Sequence, residues 1–202
     1  IFRTFCEPGE DEVILLPPTY GMYGVLAKLN NIKAVNVPLN QNFELDIPRI
    51  MSSINQKTKV IFVCSPNNPT GNAIPQCQIK SLLDQFSGLV VVDEAYIDFS
   101  KTATAIELIN DYPNLMICQT FSKAYGLAGI RLGIGFAKPE IINFINKIKP
   151  PYNLNVLSQK KALESLNDSV NLTRQVKELI GERQKMGKRL LAISFVKKIY
   201  PS

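Results

Sequence analysis

The 202-residue chain contains no histidine. Within this segment that absence excludes Ser-His-Asp and Cys-His nucleophilic chemistry and any histidine-ligated zinc, so no metal site is expected. Cysteine is scarce. Cys6, Cys64, Cys77 and Cys118 form no Cys-x-x-Cys pair, and without a disulfide framework a cytoplasmic location is favoured. Cys64 and Cys118 lie inside apolar runs, as small core residues do. No leader pattern and no apolar run of about 18 residues is read here, so no membrane partner is expected. Neither a GxGxxG after the first apolar run nor a GxxxxGK is present, which argues against a bare dinucleotide- or nucleotide-binding domain.

A strong charge of one sign is also missing over most of the chain. The formal charge is +6, and the stretch from Arg174 to Lys198 holds eight basic and two acidic residues, which accounts for all of it. That stretch carries apolar residues at helical spacing, so a solvated helix face is expected rather than a nucleic-acid partner. The chain opens at Ile1 and closes at Pro201-Ser202 just after an apolar run. Both ends have the look of a cut, and the chain is read as one domain and part of another.

What is present is an alternation. Val13 to Leu16, Ala34 to Val37, Val60 to Cys64, Leu89 to Val92, Leu115 to Cys118 and Leu132 to Phe136 read as buried strands. Pro75 opens a helical pattern with Ile79, Leu82, Leu83 and Phe86 on one face. Pro139 opens another with Ile141, Ile142, Ile145 and Ile148. The expected fold is α/β, a mostly parallel sheet with helices on both faces, followed by the start of a smaller α/β domain. From about Asn155 only a helical pattern continues, with Val176, Leu179, Ile180, Arg183 and Leu190 in register. The expected division is 1–160 for the sheet domain and 161–202 for a linking helix and the start of the next domain.

In open α/β sheets, ligands sit at the carboxyl ends of the strands. There the sequence places Pro17 to Tyr23, Ser65 to Gly71, Asp93 to Tyr96 and Thr120 to Lys123. Asp93 follows four buried-strand residues and needs a partner, which could equally be a protein cation, a helix end or a ligand cation. Lys123, taken alone, is a surface lysine. In a semi-enclosed site its amine would form a Schiff base. Thr120, Ser122 and Arg131 are groups that hold phosphate. Ser65 to Gly71 is either a plain turn or a ligand loop. Tyr20 is either a strand-end aromatic or a ring lying over a planar ligand.

Taken in order, these segments resemble the fold-type I pyridoxal-phosphate (PLP) aminotransferases, and within them the histidinol-phosphate aminotransferases. The Thr120 to Arg131 segment carries most of the resemblance. Asn68-Pro69-Thr70-Gly71, Asp93-Glu94-Ala95-Tyr96 and Glu7 to Asp11 support it, and Lys149 to Asn155 points to the histidinol-phosphate branch. The resemblance implies that Lys123 holds the cofactor and moves the proton, and that Asp93 keeps the pyridine nitrogen protonated. It implies that Tyr96 and Asn68 donate to the ring oxygen and Tyr20 stacks on the ring. Thr120, Ser122 and Arg131 would hold the phosphate. Tyr20, Asn68, Tyr152 and Asn153 would meet substrate. It also implies a cis bond between Asn68 and Pro69.

The implied reaction is amino transfer between histidinol phosphate and 2-oxoglutarate in histidine biosynthesis, by a homodimer acting on small molecules. The same residues would serve a threonine-phosphate decarboxylase, an aromatic aminotransferase, or a regulatory domain that binds PLP without turnover. Family members carry a further phosphate-binding turn and a partner-donated tyrosine before the point where Ile1 stands, and a substrate-gripping arginine beyond Ser202. These 202 residues alone are therefore expected to be inactive.

Overall fold

The computed structural model describes residues 1–200. The elements in chain order are α1 (Phe2–Phe5), β1 (Glu12–Leu15), α2 (Met22–Leu29), β2 (Lys33–Asn36), α3 (Ile47–Ser52), β3 (Thr58–Cys64), α4 (Gln76–Gln85), β4 (Leu89–Asp93), β5 (Leu115–Thr120), β6 (Gly133–Ala137), α5 (Pro139–Ile148), α6 (Val156–Asn167) and α7 (Ser169–Leu191). Short 3₁₀ turns at Ile97–Phe99, Ala105–Leu108 and Ala128–Ile130 punctuate the connections.

The six strands form one sheet in the order β2-β1-β3-β4-β5-β6. The first five run parallel, and β6 pairs antiparallel with β5. All six expected strands are found, with ends shifted by no more than two residues. β1, β3 and β4 are buried as expected. The edge strands β2 and β6 are partly exposed, a correction to their reading as buried, because each has a neighbour on one side only.

Alternation along the strands divides the core in two. Ile61, Val63, Val90, Val92, Leu115 and Ile117 face one layer, where Ile79, Leu82 and Leu83 of α4 and Ile50 of α3 cover them. Val13, Leu15, Val60, Phe62, Val91 and Met116 face the other, under Tyr23 and Ala27 of α2 and Ile141 of α5. Full burial of such side chains stabilises by roughly 1.5–3 kcal/mol each. This is why the sheet can act as a rigid platform for polar groups at its rim.

The helices start where sequence chemistry directs. Pro139 sits in the first turn of α5, where its missing N–H costs nothing. The Asn155 side chain accepts from the Ser158 amide at 2.8 Å and caps α6. The continuous helical pattern after Asn155 is two helices, broken at Asp168, whose backbone leaves the helical region.

Candidate active site

β3, β4 and β5 end side by side, with Cys64, Asp93 and Cys118 in register. Because Asp93 has the parity of Val91, its side chain points to the face covered by α2. There the Tyr23 hydroxyl donates to Asp93 Oδ2 at 2.5 Å, and the Ala95 amide donates to Oδ1 at 3.0 Å. No ion pair reaches Asp93 among the described residues. Burial and the Asp93 charge push the Cys118 thiol up to about 12, and the same two causes raise Cys64. They raise the Tyr23 phenol too. The ionisable neighbours of Asp93, Tyr23, Cys64 and Cys118, are thus all held in their neutral forms.

The loop after β3 arches over this point. Its bonds at Ser65-Pro66 and Asn68-Pro69 are cis, the second as expected from the sequence, and so is Pro17-Pro18 in the neighbouring loop after β1. Asn67, buried at 4% exposure, fastens the arch. Its side-chain amide donates to Pro18 O at 2.9 Å and Thr70 Oγ1 at 2.7 Å, and its Oδ1 accepts from Thr19 Oγ1 at 3.2 Å. Gly71 closes the turn at φ +79, a conformation that suits glycine, and its amide reaches Asn67 O at 2.8 Å. Asn68, beside this clamp, is half-buried and its side chain makes no protein hydrogen bond. It is left available to a ligand.

Glu94 anchors the next loop. It is 2% exposed and forms no ion pair among the described residues. Instead it accepts from Thr104 Oγ1 at 2.6 Å, the Ala105 amide at 2.6 Å and Gln119 Nε2 at 2.9 Å. Those bonds hold the connection that carries Tyr96, whose backbone opens the Ile97–Phe99 turn.

Lys123 is exposed in the connection from β5 to β6, and its Nζ lies 5.1 Å from the Tyr96 ring centre. Thr120 Oγ1 accepts from the Ser122 amide at 3.1 Å and donates to Leu132 O at 3.3 Å. Arg131 ends this connection in a left-handed conformation, φ 55, with its guanidinium on Ala128 O at 2.8 Å. Ser158 donates to Ile130 O at 2.8 Å and ties α6 to the same segment.

The structure gathers Asn68 and Tyr96 in one open cleft of about 870 Å³, which is also lined by Phe99, Lys101, Leu179 and Arg183. Tyr20 stands at the mouth of the strands, 43% exposed and edge-on to Tyr23 at 5.5 Å. Tyr152 and Asn153 are not brought into the cleft. They lie in the exposed turn after α5, with Tyr152 98% exposed. Both side chains are exposed, and their expected contacts with substrate stay a proposal.

Three residues here escaped the sequence reading. Tyr23 and Asn67 were noted only as members of the segments Pro17 to Tyr23 and Ser65 to Gly71. Glu94 was noted only as part of its tetrapeptide.

The family profile described as "Aminotransferase class I and II" matches residues 1–201. The chain belongs to the class I and II aminotransferases. Similar sequences include the histidinol-phosphate aminotransferase of Flavobacterium psychrophilum, 56% identical over the whole chain, and that of Christiangramia forsetii, 54% identical. In each case the chain spans 58% of the relative's length. Among solved structures, the histidinol-phosphate aminotransferase of Clostridium acetobutylicum superposes with TM-score 0.87 at 25% identity, over 95% of this chain and 59% of that one. An aspartate aminotransferase variant from Thermus thermophilus shares the fold, with TM-score 0.85 at 23% identity over 94% of this chain and 54% of that one.

Proposed function

We propose that this aminotransferase works with PLP and moves an amino group between histidinol phosphate and 2-oxoglutarate. The observation that carries the reading is Asp93: an ionisable carboxylate at a strand end, held by two neutral donors and paired with no protein cation. A carboxylate held in this way is the acceptor a pyridinium N–H needs opposite it. The choice of substrates rests on the similarity to curated histidinol-phosphate aminotransferases.

The residues present fit the cofactor. Lys123 supplies the amine that would hold it, and Asp93 the negative charge for its ring nitrogen. Asn68 and Tyr96 offer donors to its ring oxygen, and Tyr20 an exposed ring to stack. Thr120, Ser122 and Arg131 offer hydroxyls and a guanidinium for its phosphate. When bound, PLP supplies the electron sink for cleavage at the substrate's α-carbon.

The protein's part is orientation and proton movement. The free amine of Lys123 would be the group that takes the proton from the substrate's α-carbon and holds it on Nζ for return. Asp93, fixed by its two donors, keeps the ring charge in place without reorganising. The arch built on Asn67 holds Asn68 over the site.

The division at about residue 160, with 161–202 opening a second domain, belongs to this proposal. So do a cytoplasmic homodimer and the absence of nucleic-acid and membrane partners. In support, all four cysteines are free, and no described helix is long and apolar enough to cross a membrane. The test is to titrate the full-length protein with PLP, then assay it with histidinol phosphate and 2-oxoglutarate. A visible cofactor band and turnover with that pair are expected. Turnover with aromatic donors only, or loss of carbon dioxide from a phosphorylated amino acid, would overturn the substrate assignment.

A further inference from the structure

Tyr23 lies 70 positions before Asp93 in the chain, yet the two share one short hydrogen bond. The tyrosine is 6% exposed. Its ring stacks on Phe62, with centres 5.0 Å apart and planes at 18°, and Phe62 stacks in turn on Phe2 at 5.2 Å. Tyr20 closes the other side edge-on. A phenol clamped in this way has little freedom to swing, so its hydroxyl stays aimed at Asp93 Oδ2.

We propose that Tyr23 is the positioning residue for Asp93, and that its hydroxyl keeps the carboxylate ionised and facing the cofactor's ring nitrogen. The inference rests on the PLP reading given above. A donor to the ionised form of an acid favours that form. The acid then competes less for the proton shared with the ring, and the proton stays on the nitrogen. The ionisable groups packed around Asp93 are Tyr23 from α2, Cys64 from β3 and Cys118 from β5, and burial keeps all three protonated. None can replace the tyrosine as a fixed oxygen donor. The Cys64 thiol is already turned to Pro66 O at 3.5 Å.

The test is Tyr23→Phe in the full-length protein loaded with PLP, read by the pH titration of the Lys123-linked visible band. A positive charge on the ring lowers the proton affinity of the linked nitrogen, so losing that charge raises the band's midpoint. We expect a rise of about one pH unit, together with PLP affinity and kcat each reduced about tenfold, the scale of one hydrogen bond to a charged group. The amino-donor KM should stay within about twofold, since the hydroxyl is spent on Asp93.

An unmoved midpoint with a lowered melting temperature would make Tyr23 a packing residue only, and the proposal would fall. Absence of any Lys123-linked band in the unsubstituted protein would instead sink the PLP reading, and this inference with it. Should Tyr23→Phe fail to fold, fluorotyrosine at position 23 keeps the ring and the donor while making the phenol more acidic. The midpoint must then shift from that of the unsubstituted protein, and a midpoint that stays put would overturn the proposal.

Discussion

The Lys123 ammonium lies 5.1 Å from the centre of the Tyr96 ring. The ring's electron-rich face holds the amine over the site by a cation–π contact of roughly 0.5–1 kcal/mol at such an exposed position. This contact is weak enough to yield when the amine is needed elsewhere.

Lys123→Ala in the full-length protein should therefore abolish both the visible cofactor band and transamination. Borohydride reduction followed by peptide mapping should place the cofactor label on Lys123. A label on any other lysine would contradict the assignment.

Asp93→Ala should leave the sheet intact but remove the charge opposite the ring nitrogen. The expected loss is about 3–4 kcal/mol of transition-state stabilisation, on the scale of deleting one key electrostatic group. It should appear in kcat, measured at saturating amino donor. Near-normal turnover would refute the role.

Glu94 accepts three hydrogen bonds and forms no ion pair among the described residues. Glu94→Gln puts an amide donor against one of those donors and should destabilise by about 1–3 kcal/mol. Thr104→Val removes a single donor and should cost about 1 kcal/mol. Urea denaturation of the two variants would show the order.

The thiols should separate by reactivity. Cys77 is exposed, whereas Cys6 and Cys64 are buried and Cys118 is partly covered. Burial, joined by the Asp11 charge, pushes Cys6 up to about 11; burial and the Asp93 charge push Cys118 up to about 12. Iodoacetamide at neutral pH should label Cys77 first and the other three only on unfolding, as read by mass spectrometry.

Glu12 gives the fold an acid limit. Burial alone would raise this carboxyl. Hydrogen bonds from Lys33, Thr58 and Asn55, with the Lys33 charge, outweigh burial and hold it below its ordinary value of 4.5. A depressed folded-state pKa means the contribution is complete above about 4.5 and is lost as pH falls through the folded value. Urea midpoints for the protein and for Glu12→Gln should therefore differ most near neutrality and converge in acid.

The central strands were legible because each is an apolar run, and the polar residues that follow them had to fall at the sheet's rim. Lys123, Asp93 and Asn68 were read on that rule and on family resemblance, and they sit there. The Tyr23–Asp93 bond was not legible. It depends on α2 crossing the face to which Asp93's parity assigns it, which local sequence does not encode. Glu94 was hidden for a similar reason, since its partners Thr104 and Gln119 come from a loop and a strand further on. Tyr152 and Asn153 were named by resemblance alone, with no periodicity or strand end to support them.

The reversal at β6 has a mechanical consequence. Because β6 returns antiparallel to β5, Thr120 and Gly133 face each other across the ladder, and the stretch that carries Lys123 is pinned at both feet. A helical crossover would have left that stretch anchored at one foot only. Here the travel the amine needs must come from its own four-carbon stem, a crane arm on a fixed pier. Adding or deleting one residue between 121 and 132 should therefore do more harm than most substitutions there, because it moves the pier and leaves the arm the same length.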